Sequence, residues 1–445
     1  MTNIKLAFLA LILALTGLWL LADTLLPSPF TYFSFRAAIV QYTGFVAIAA
    51  MSVATVLAAR PVWLEASLGG LDKMYRLHKW LGIAALVFGV VHWWWAKGTK
   101  WMVGWGWLVR PERRPGGSEA LGPVEGWLRI QRGFAELVGE WAFYAAVILI
   151  VLALWKRIPY RLFAKTHRWI AVAYLVLAYH AVVLLKFDYW SAPVGWVAAA
   201  LLLGGAGAAL LALLRRIGTG RKAQGMIEEI IHYPELRVLE SAIRLTDEAW
   251  KGHSAGQFAF VTSSAEEGAH PYTIASAWNP KERRIVFITK ALGDHTRTLP
   301  ERLKVGMPVT VEGPYGCFTF RDARPHQIWI GAGIGITPFI ARMKQLARSP
   351  STQEIVLFHP TADFSQAAID KLAADAGAST VRLNVLVDAR DGLLNGERIR
   401  AAVPEWRSAS IWFCGPPRFG EALRRDFIAH GFPAADFHQE LFEMR

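Results

Sequence analysis

The chain has 445 residues, of which 54% are hydrophobic, with a formal net charge of +13 and a mean hydropathy of +0.29. Such an apolar composition excludes an ordinary soluble protein, and the length allows two or three domains. The only cysteines, Cys317 and Cys414, exclude a disulfide framework.

The apolar residues are gathered in the first half. Windows at about 5–22, 36–59, 76–96, 137–155, 168–186 and 193–214 each approach the length that crosses a bilayer, which predicts six transmembrane helices. Lys5 ahead of the first window resembles the start of a signal peptide, but no small-residue cleavage site follows, so the window reads as a helix. Basic residues collect in the second loop (Arg60, Lys73, Arg76, Lys79), in the fourth (Lys156, Arg157, Arg161, Lys165, Arg168) and after the last span (Arg215, Arg216, Arg221, Lys222). The positive-inside rule then puts both termini and the soluble half in the cytoplasm. Residues 97–136 are expected outside as a long, Trp-rich loop with a basic group, Arg110, Arg113 and Arg114. The positive charge is read as anchoring to the lipid bilayer, not as a nucleic-acid surface.

The third span contains "HKWLGIAALVFGVVH", with His78 and His92 at the ends of that stretch, and the fifth carries His167 at its edge and His180 within it. An ionisable group inside a membrane is a functional candidate by default. Both helices run in the same direction, so His78 and His167 fall at the cytoplasmic level and His92 and His180 at the outer one. Spacings of 14 and 13 residues put the two levels roughly 20 Å apart, which suits two stacked haems, each held by one histidine from each helix. One zinc ion does not fit two levels so far apart. Fourteen residues return to within about 40° of the same helix face, whereas thirteen miss it by about 140°, so the fifth helix must be tilted or irregular, or its ligands approach from different sides.

After Gly218-Thr219-Gly220, short β-branched runs such as "RVLESAIRLT", "RIVFITKA" and "MPVTVEGP" predict a small β-barrel. From Gln327 the pattern changes to parallel strands with crossover helices, in "IWIGAGIGITPFIARMKQLA", "EIVLFHP", "VRLNVLVD" and "SIWFCGPP". Within "GAGIGITPF", Gly331, Gly333 and Gly335 allow close approach of a pyrophosphate to a helix N-terminus, with Thr337 as a cap and Pro338 in the first turn.

"HPYTIAS", "IVFITKALGDHTRTL", "EGPYG", "GAGIGITPF" and "FCGPP", in that order, resemble the dehydrogenase half of the ferric reductase and NADPH oxidase superfamily, which belongs to the ferredoxin–NADP reductase fold group. "LDKMYRLHKWLG" and "HRWIAVAYLVLAYH" resemble the haem helices of that superfamily, so the likeness covers nearly the whole chain. The resemblance implies a six-helix di-haem domain over 1–217, an FAD-binding β-barrel over 221–322 and an NAD(P)-binding α/β domain over 323–445. It implies that His270 and Pro271 lie near the flavin pyrophosphate, that Tyr272 flanks the isoalloxazine and that the Thr273 hydroxyl reaches its N5/O4 edge. Lys290, Gly293 and Thr296 would continue the phosphate and adenosine cradle. Gly331, Gly333, Gly335, Thr337 and Pro338 would hold NADPH or NADH, with Cys414, Gly415 and Pro416 beside the nicotinamide and Phe442 over the flavin ring. Thr273, Cys414 and Phe442 are thus the expected catalytic set, and Arg76, Lys79 and Arg36 are candidates for the haem propionates.

The implied activity is NAD(P)H oxidation through FAD and two b-type haems, with O2 as the expected acceptor, or alternatively a ferric chelate, a quinone or a partner protein. Two departures bear on it. The stretch "FHPTADF" has no Arg to take a 2′-phosphate, and Ala96 stands where animal-type oxidases of the superfamily place a further histidine. The compact layout implies a bacterial inner membrane, with no obligatory protein partner.

Overall fold

The computed structural model describes residues 2–109, 122–155, 157–264 and 266–440. They fall into two compact units, one built mainly from Met1–Leu68 and Lys73–Ile217, the other mainly from Gly218–Glu443.

The first unit is helical: α1 (Thr2–Leu20), α2 (Tyr32–Ala58), α3 (Val62–Leu68), α4 (Leu71–Gly104), α5 (Pro123–Leu154), α6 (Tyr160–His167), α7 (Ile170–Leu184) and α8 (Pro193–Leu213). Five segments are long and apolar enough to cross a membrane, Tyr32–Ala58, Leu71–Gly104, Pro123–Leu154, Arg161–Leu184 and Pro193–Leu213, while Ile4–Leu20 is a shorter apolar helix. α5 packs on α7, and α5 buries a stripe of small residues, Ala135, Gly139, Ala142 and Ala146. Small side chains let two backbones approach where lipid offers no hydrophobic drive.

α4 and α5 differ from the expected loop over 97–136. α4 continues to Gly104 and α5 begins at Pro123, so helix occupies both ends of that stretch. Charge pairing sustains the added turns: Lys97 bonds Glu140, and Arg129–Glu125 (3.5 Å) and Arg132–Glu136 (3.1 Å) are paired one turn apart. A hydropathy window stops at the first charged turn, although the helix does not. The basic group Arg110, Arg113 and Arg114 lies outside the described residues.

The second unit holds two sheets. Six strands, β1 (Lys222–Tyr233), β2 (Val238–Leu245), β3 (Phe258–Thr262), β4 (His270–Thr273), β5 (Arg284–Lys290) and β6 (Pro308–Tyr315), pair antiparallel in the order β4-β3-β6-β1-β2-β5. The two edges meet where Ile274 bridges Phe287 and the Ala275 N–H donates to the Val286 carbonyl at 2.8 Å. α9 (Asp294–Arg302) follows β5.

Five strands, β7 (His326–Gly331), β8 (Glu354–Thr361), β9 (Arg382–Val387), β10 (Ala409–Cys414) and β11 (Phe437–Gln439), form a parallel sheet in the order β11-β10-β7-β8-β9. Both its faces are covered, so its strands are largely apolar. Alternation along β7 sends Trp329 to a cluster with Phe339 and Trp412, and Ile328 and Ile330 to a cluster with Ile411, Phe413 and Phe427. Burying each such side chain contributes about 1.5–3 kcal/mol. The chain runs β7, β8, β9 to one side and returns to place β10 on the other, so the order reverses between β7 and β10. Crevices at the carboxyl ends of such strands are where open parallel sheets bind ligands.

Candidate functional site

In the membrane half the four histidines meet in two pairs. The ring centroids of His78 and His167 are 5.9 Å apart with planes at 73°, and those of His92 and His180 are 6.3 Å apart at 85°. Two imidazoles on opposite sides of one iron, with about 2 Å from each nitrogen to the metal and about 1.1 Å from nitrogen to ring centre, would stand about 6.2 Å apart. The spacing of both pairs fits that of bis-imidazole ligation.

The orientation of the rings fits as well. Nδ1 of His78 lies 2.7 Å from the Ala54 carbonyl, that of His92 2.9 Å from Val40 and that of His180 2.8 Å from Ala135. A carbonyl only accepts, so Nδ1 carries the proton and Nε2 keeps its lone pair for a metal. Two glycines, which hydropathy could not single out, make this possible. A Cβ on Gly44 would lie 2.9 Å from His92 Nδ1, and one on Gly139 2.0 Å from His180 Nδ1. Each sits one turn after the carbonyl that its histidine engages, Val40 and Ala135, so the ring rests where a side chain would otherwise stand. Changing Gly139 to Val is therefore expected to displace the His180 ring and to remove any haem that pair would hold, measured as haem per chain in the purified protein.

His167 ends α6, and a tight turn at Arg168–Trp169 separates it from α7. Trp169, Ala171 and Val172 donate to Thr166, Arg168 and Trp169, each three residues back. Such winding advances about 120° per residue where an α-helix advances about 100°, so about five residues of it recover about 100° of the 140° shortfall. The thirteen-residue spacing is thereby reconciled with one ligand face. Arg36 donates to the carbonyls of Trp95 and Ala96, both at 3.1 Å, beyond the outer histidine.

In the second unit the turns after β7 and β10 interlock. Cys414 is in register with Gly331, and the Ala332 N–H donates to the Cys414 carbonyl at 2.9 Å. A Cβ on Gly335 would lie 2.2 Å from that carbonyl oxygen, so only glycine admits this contact. Gly415 and Pro416 continue the second turn into the Pro417–Ala429 helix. Thr337 does not cap: it is the first residue of α10 (Thr337–Arg348), and its hydroxyl donates to the Ile334 carbonyl at 2.7 Å, while Pro338 occupies the first turn. The short Gly333–Ile336 turn that precedes α10 takes the position a capping side chain would need. Cys414 is fully buried; burial, and then the Glu440 carboxylate, push its thiol well up, so it stays protonated at neutral pH.

On the antiparallel sheet, His270, Pro271, Tyr272 and Thr273 make up β4. The Thr273 hydroxyl is buried and finds no partner among the described residues. A buried hydroxyl without a partner costs about 1–3 kcal/mol, so this atom fits a ligand bound at the edge of β4. Lys290 pairs with Asp363, a side chain at the end of β8, rather than projecting toward β4. Thr296 turns its hydroxyl inward, accepting the N–H groups of Leu292 and Gly293 at 3.0 Å and so closing the turn into α9. Phe442 lies outside the described residues.

Residues 43–178 match the family described as the ferric reductase like transmembrane component, and residues 236–319 match an FAD-binding domain. Among curated proteins, a flavohemoprotein of Pseudomonas aeruginosa is 28% identical over 188 residues, 40% of this chain and 47% of that one. An NADPH oxidoreductase of Mycobacterium tuberculosis is 30% identical over 153 residues, 33% of this chain and 40% of that one. The chain thus spans about half or less of the length of these relatives. Among solved structures, a flavohemoglobin from Malassezia yamatoensis aligns with a TM-score of 0.48 and 16% identity over 92% of this chain and 97% of that one. A cytochrome P450 reductase from Amycolatopsis aligns with a TM-score of 0.43 and 23% identity over 50% of this chain and 70% of that one.

Helices long and apolar enough to cross a membrane, followed by a match to an FAD-binding domain, define a membrane protein with a flavin-binding half. More narrowly, the two matched segments together are similar to the ferric reductase and NADPH oxidase superfamily, a membrane half followed by an FAD-binding half.

Proposed function

We propose that the chain is a transmembrane electron conduit in a bacterial inner membrane, its dehydrogenase half in the cytoplasm. Electrons from NADPH or NADH pass through FAD and two b-type haems to an acceptor on the outer face. His78 with His167 would hold one haem and His92 with His180 the other. The observation that carries the reading is the two facing imidazole pairs, 5.9 Å and 6.3 Å between centroids, at two levels of one helix. In this reading residues 1–217 form a six-span di-haem domain, 221–322 an FAD-binding β-barrel and 323–445 the NAD(P)-binding α/β domain.

A flavin accepts the electron pair of a hydride and releases it singly, and a haem iron held by two imidazoles passes one electron at a time without an open coordination position. The protein's part is to orient and to exclude. Thr273 supplies the hydroxyl at the flavin edge, and His270, Pro271 and Tyr272 line the same strand. Gly331, Gly333 and Gly335 clear the path of the dinucleotide, whose phosphates the N-terminus of α10 favours, with Thr337 and Pro338 in its first turn. Cys414, Gly415 and Pro416 border the nicotinamide, where a protonated thiol presents no negative charge to repel a hydride.

The acceptor read first is O2, reduced at the haem edge to superoxide, which makes the protein an NAD(P)H oxidase. A ferric chelate is the second reading, favoured by Ala96 at the position where animal-type oxidases carry another histidine. Neither requires a protein partner.

The test is an anaerobic absorbance titration of the purified protein with FAD. Adding NADH or NADPH is expected to bleach the flavin and raise sharp bands of reduced b-type haem, which vanish on admitting air. Absence of haem from the preparation would end the conduit reading. Haem that neither nucleotide reduces would mean that electrons enter elsewhere.

A further inference from the structure

Beside β4 lies a chain of polar side chains that the flavin assignment leaves unused. His295, in the first turn of α9, has Nδ1 3.2 Å from the Glu267 carboxylate and Nε2 2.8 Å from the Tyr272 hydroxyl. Arg302 also pairs with Glu267, at 2.9 Å. Its hydrogen bond, and to a lesser degree that from His295, hold the Glu267 carboxyl below its usual range against the opposing effect of burial. A carboxylate only accepts, so Nδ1 of His295 carries the proton and Nε2 offers its lone pair to the Tyr272 O–H. His270 lies flat on His295, with centroids 3.5 Å apart and planes at 5°.

We propose that His295 is a positioning residue of the flavin site: oriented by Glu267, it fixes the hydroxyl and with it the position of the Tyr272 ring, the wall against which the isoalloxazine rests. The role presupposes that FAD binds at β4, as proposed above. A metal centre is the rival use of the same side chains, since ligand atoms of Glu267, His270 and His295 lie within 4.8 Å of one another. Stacked parallel rings do not converge their nitrogens on one point, however, and both nitrogens of His295 are already engaged.

Among the described residues, the titratable or charged groups against His295 are Glu267, His270, Tyr272 and Arg302. Burial lowers His295 from its ordinary value, and burial, then the neighbouring His295, lower His270 to about 4. Both rings are therefore neutral in the folded site where free imidazoles would begin to charge. The arrangement is complete above about pH 6.5 and is lost as the pH falls through the folded values toward about 4.

The experiment uses the full-length protein in detergent, stripped of flavin, and follows FAD binding by fluorescence quenching from about pH 8 to about pH 5. In the unsubstituted protein affinity is expected to be flat at neutral pH and to begin to fall only toward the acid end, as His295 and His270, both lowered by burial, start to charge. Tyr272→Phe and His295→Phe should each weaken binding about three- to tenfold at neutral pH, and the double variant should be no weaker than either single one. His295→Gln, which can donate to Glu267 and accept from Tyr272, should restore most of the affinity while changing the acid limb. Melting of the flavin-free variants separates lost folding from lost positioning, and His295→Gln keeps the test open if His295→Phe does not fold. His295→Phe with unchanged affinity and pH profile would overturn the role, as would additive losses in the double variant. Failure of the unsubstituted protein to bind FAD would instead overturn the flavin reading itself.

Discussion

Replacing His92 with leucine is expected to halve the haem content of the purified protein and to abolish reduction of any external acceptor. Flavin reduction by NAD(P)H should persist within about twofold. His92 faces His180 at 6.3 Å between centroids, and no other described histidine pairs with either ring. In the proposed di-haem reading, one imidazole would offer a single bond to iron in place of two, and the other pair, His78 with His167, is untouched. Leucine is close to histidine in volume and leaves Val40 its helical partner, so the membrane half should fold, and a volume-conserving change costs less than about 1.5 kcal/mol. The measurement is haem per chain by alkaline pyridine spectrum, together with stopped-flow bleaching of the flavin. His78→Leu supplies the contrast: it too should leave one haem and block external reduction, but the residual haem should then no longer be reduced by nucleotide. Unchanged external reduction in His92→Leu would mean that electrons do not pass through that pair.

The parts of this design that were legible in the sequence are those carried by residue type and period. Four histidines in apolar windows, the glycine-rich turn after an apolar strand and the switch from short antiparallel runs to βα alternation all belong to single stretches of chain. What escaped depends on contacts between stretches. Gly44 and Gly139 look like ordinary small residues of apolar helices until the rings of His92 and His180 are seen lying over them. The break at Arg168–Trp169 has no proline or glycine to announce it, although the awkward spacing of His167 and His180 demanded some irregularity. The extension of α4 to Gly104 rests on Lys97 and Lys100 finding Glu140 and Glu136 on another helix, which a window of hydropathy reads as loop. Glu267, Tyr272 and His295 likewise come together only because β4 folds back on β3 and α9 follows β5. Thr337 reads as a cap in the sequence, which does not reveal that a further short turn, Gly333–Ile336, is inserted before the helix.

The second large effect is expected at Gly335. Alanine there should raise the KM for NAD(P)H about tenfold or more while leaving FAD content and haem content unchanged. A Cβ at this position would stand 2.2 Å from the Cys414 carbonyl oxygen and 2.9 Å from the Gly415 backbone nitrogen. These are main-chain atoms held by the β7–β10 pairing, so they cannot rotate away as a side-chain tip would. Relief requires the two turns to part, and overpacking of this kind costs about 1–3 kcal/mol. In the proposed nucleotide site, parting them would move the backbone N–H groups of the Gly333–Ile336 turn and the N-terminus of α10 away from the pyrophosphate, and each 1.4 kcal/mol lost there is about tenfold in affinity. Gly333 is the internal control. It has a positive φ of +55°, but a Cβ there would meet nothing within 4 Å. Gly333→Ala therefore bears only the left-handed backbone penalty of about 1–2 kcal/mol, shared between folding and binding, and should raise KM less than Gly335→Ala does. Steady-state reduction of ferricyanide, which takes electrons from the flavin directly, measures both variants without involving the membrane half. Equal effects at the two positions would mean that backbone conformation, and not the closeness of the two turns, controls nucleotide binding.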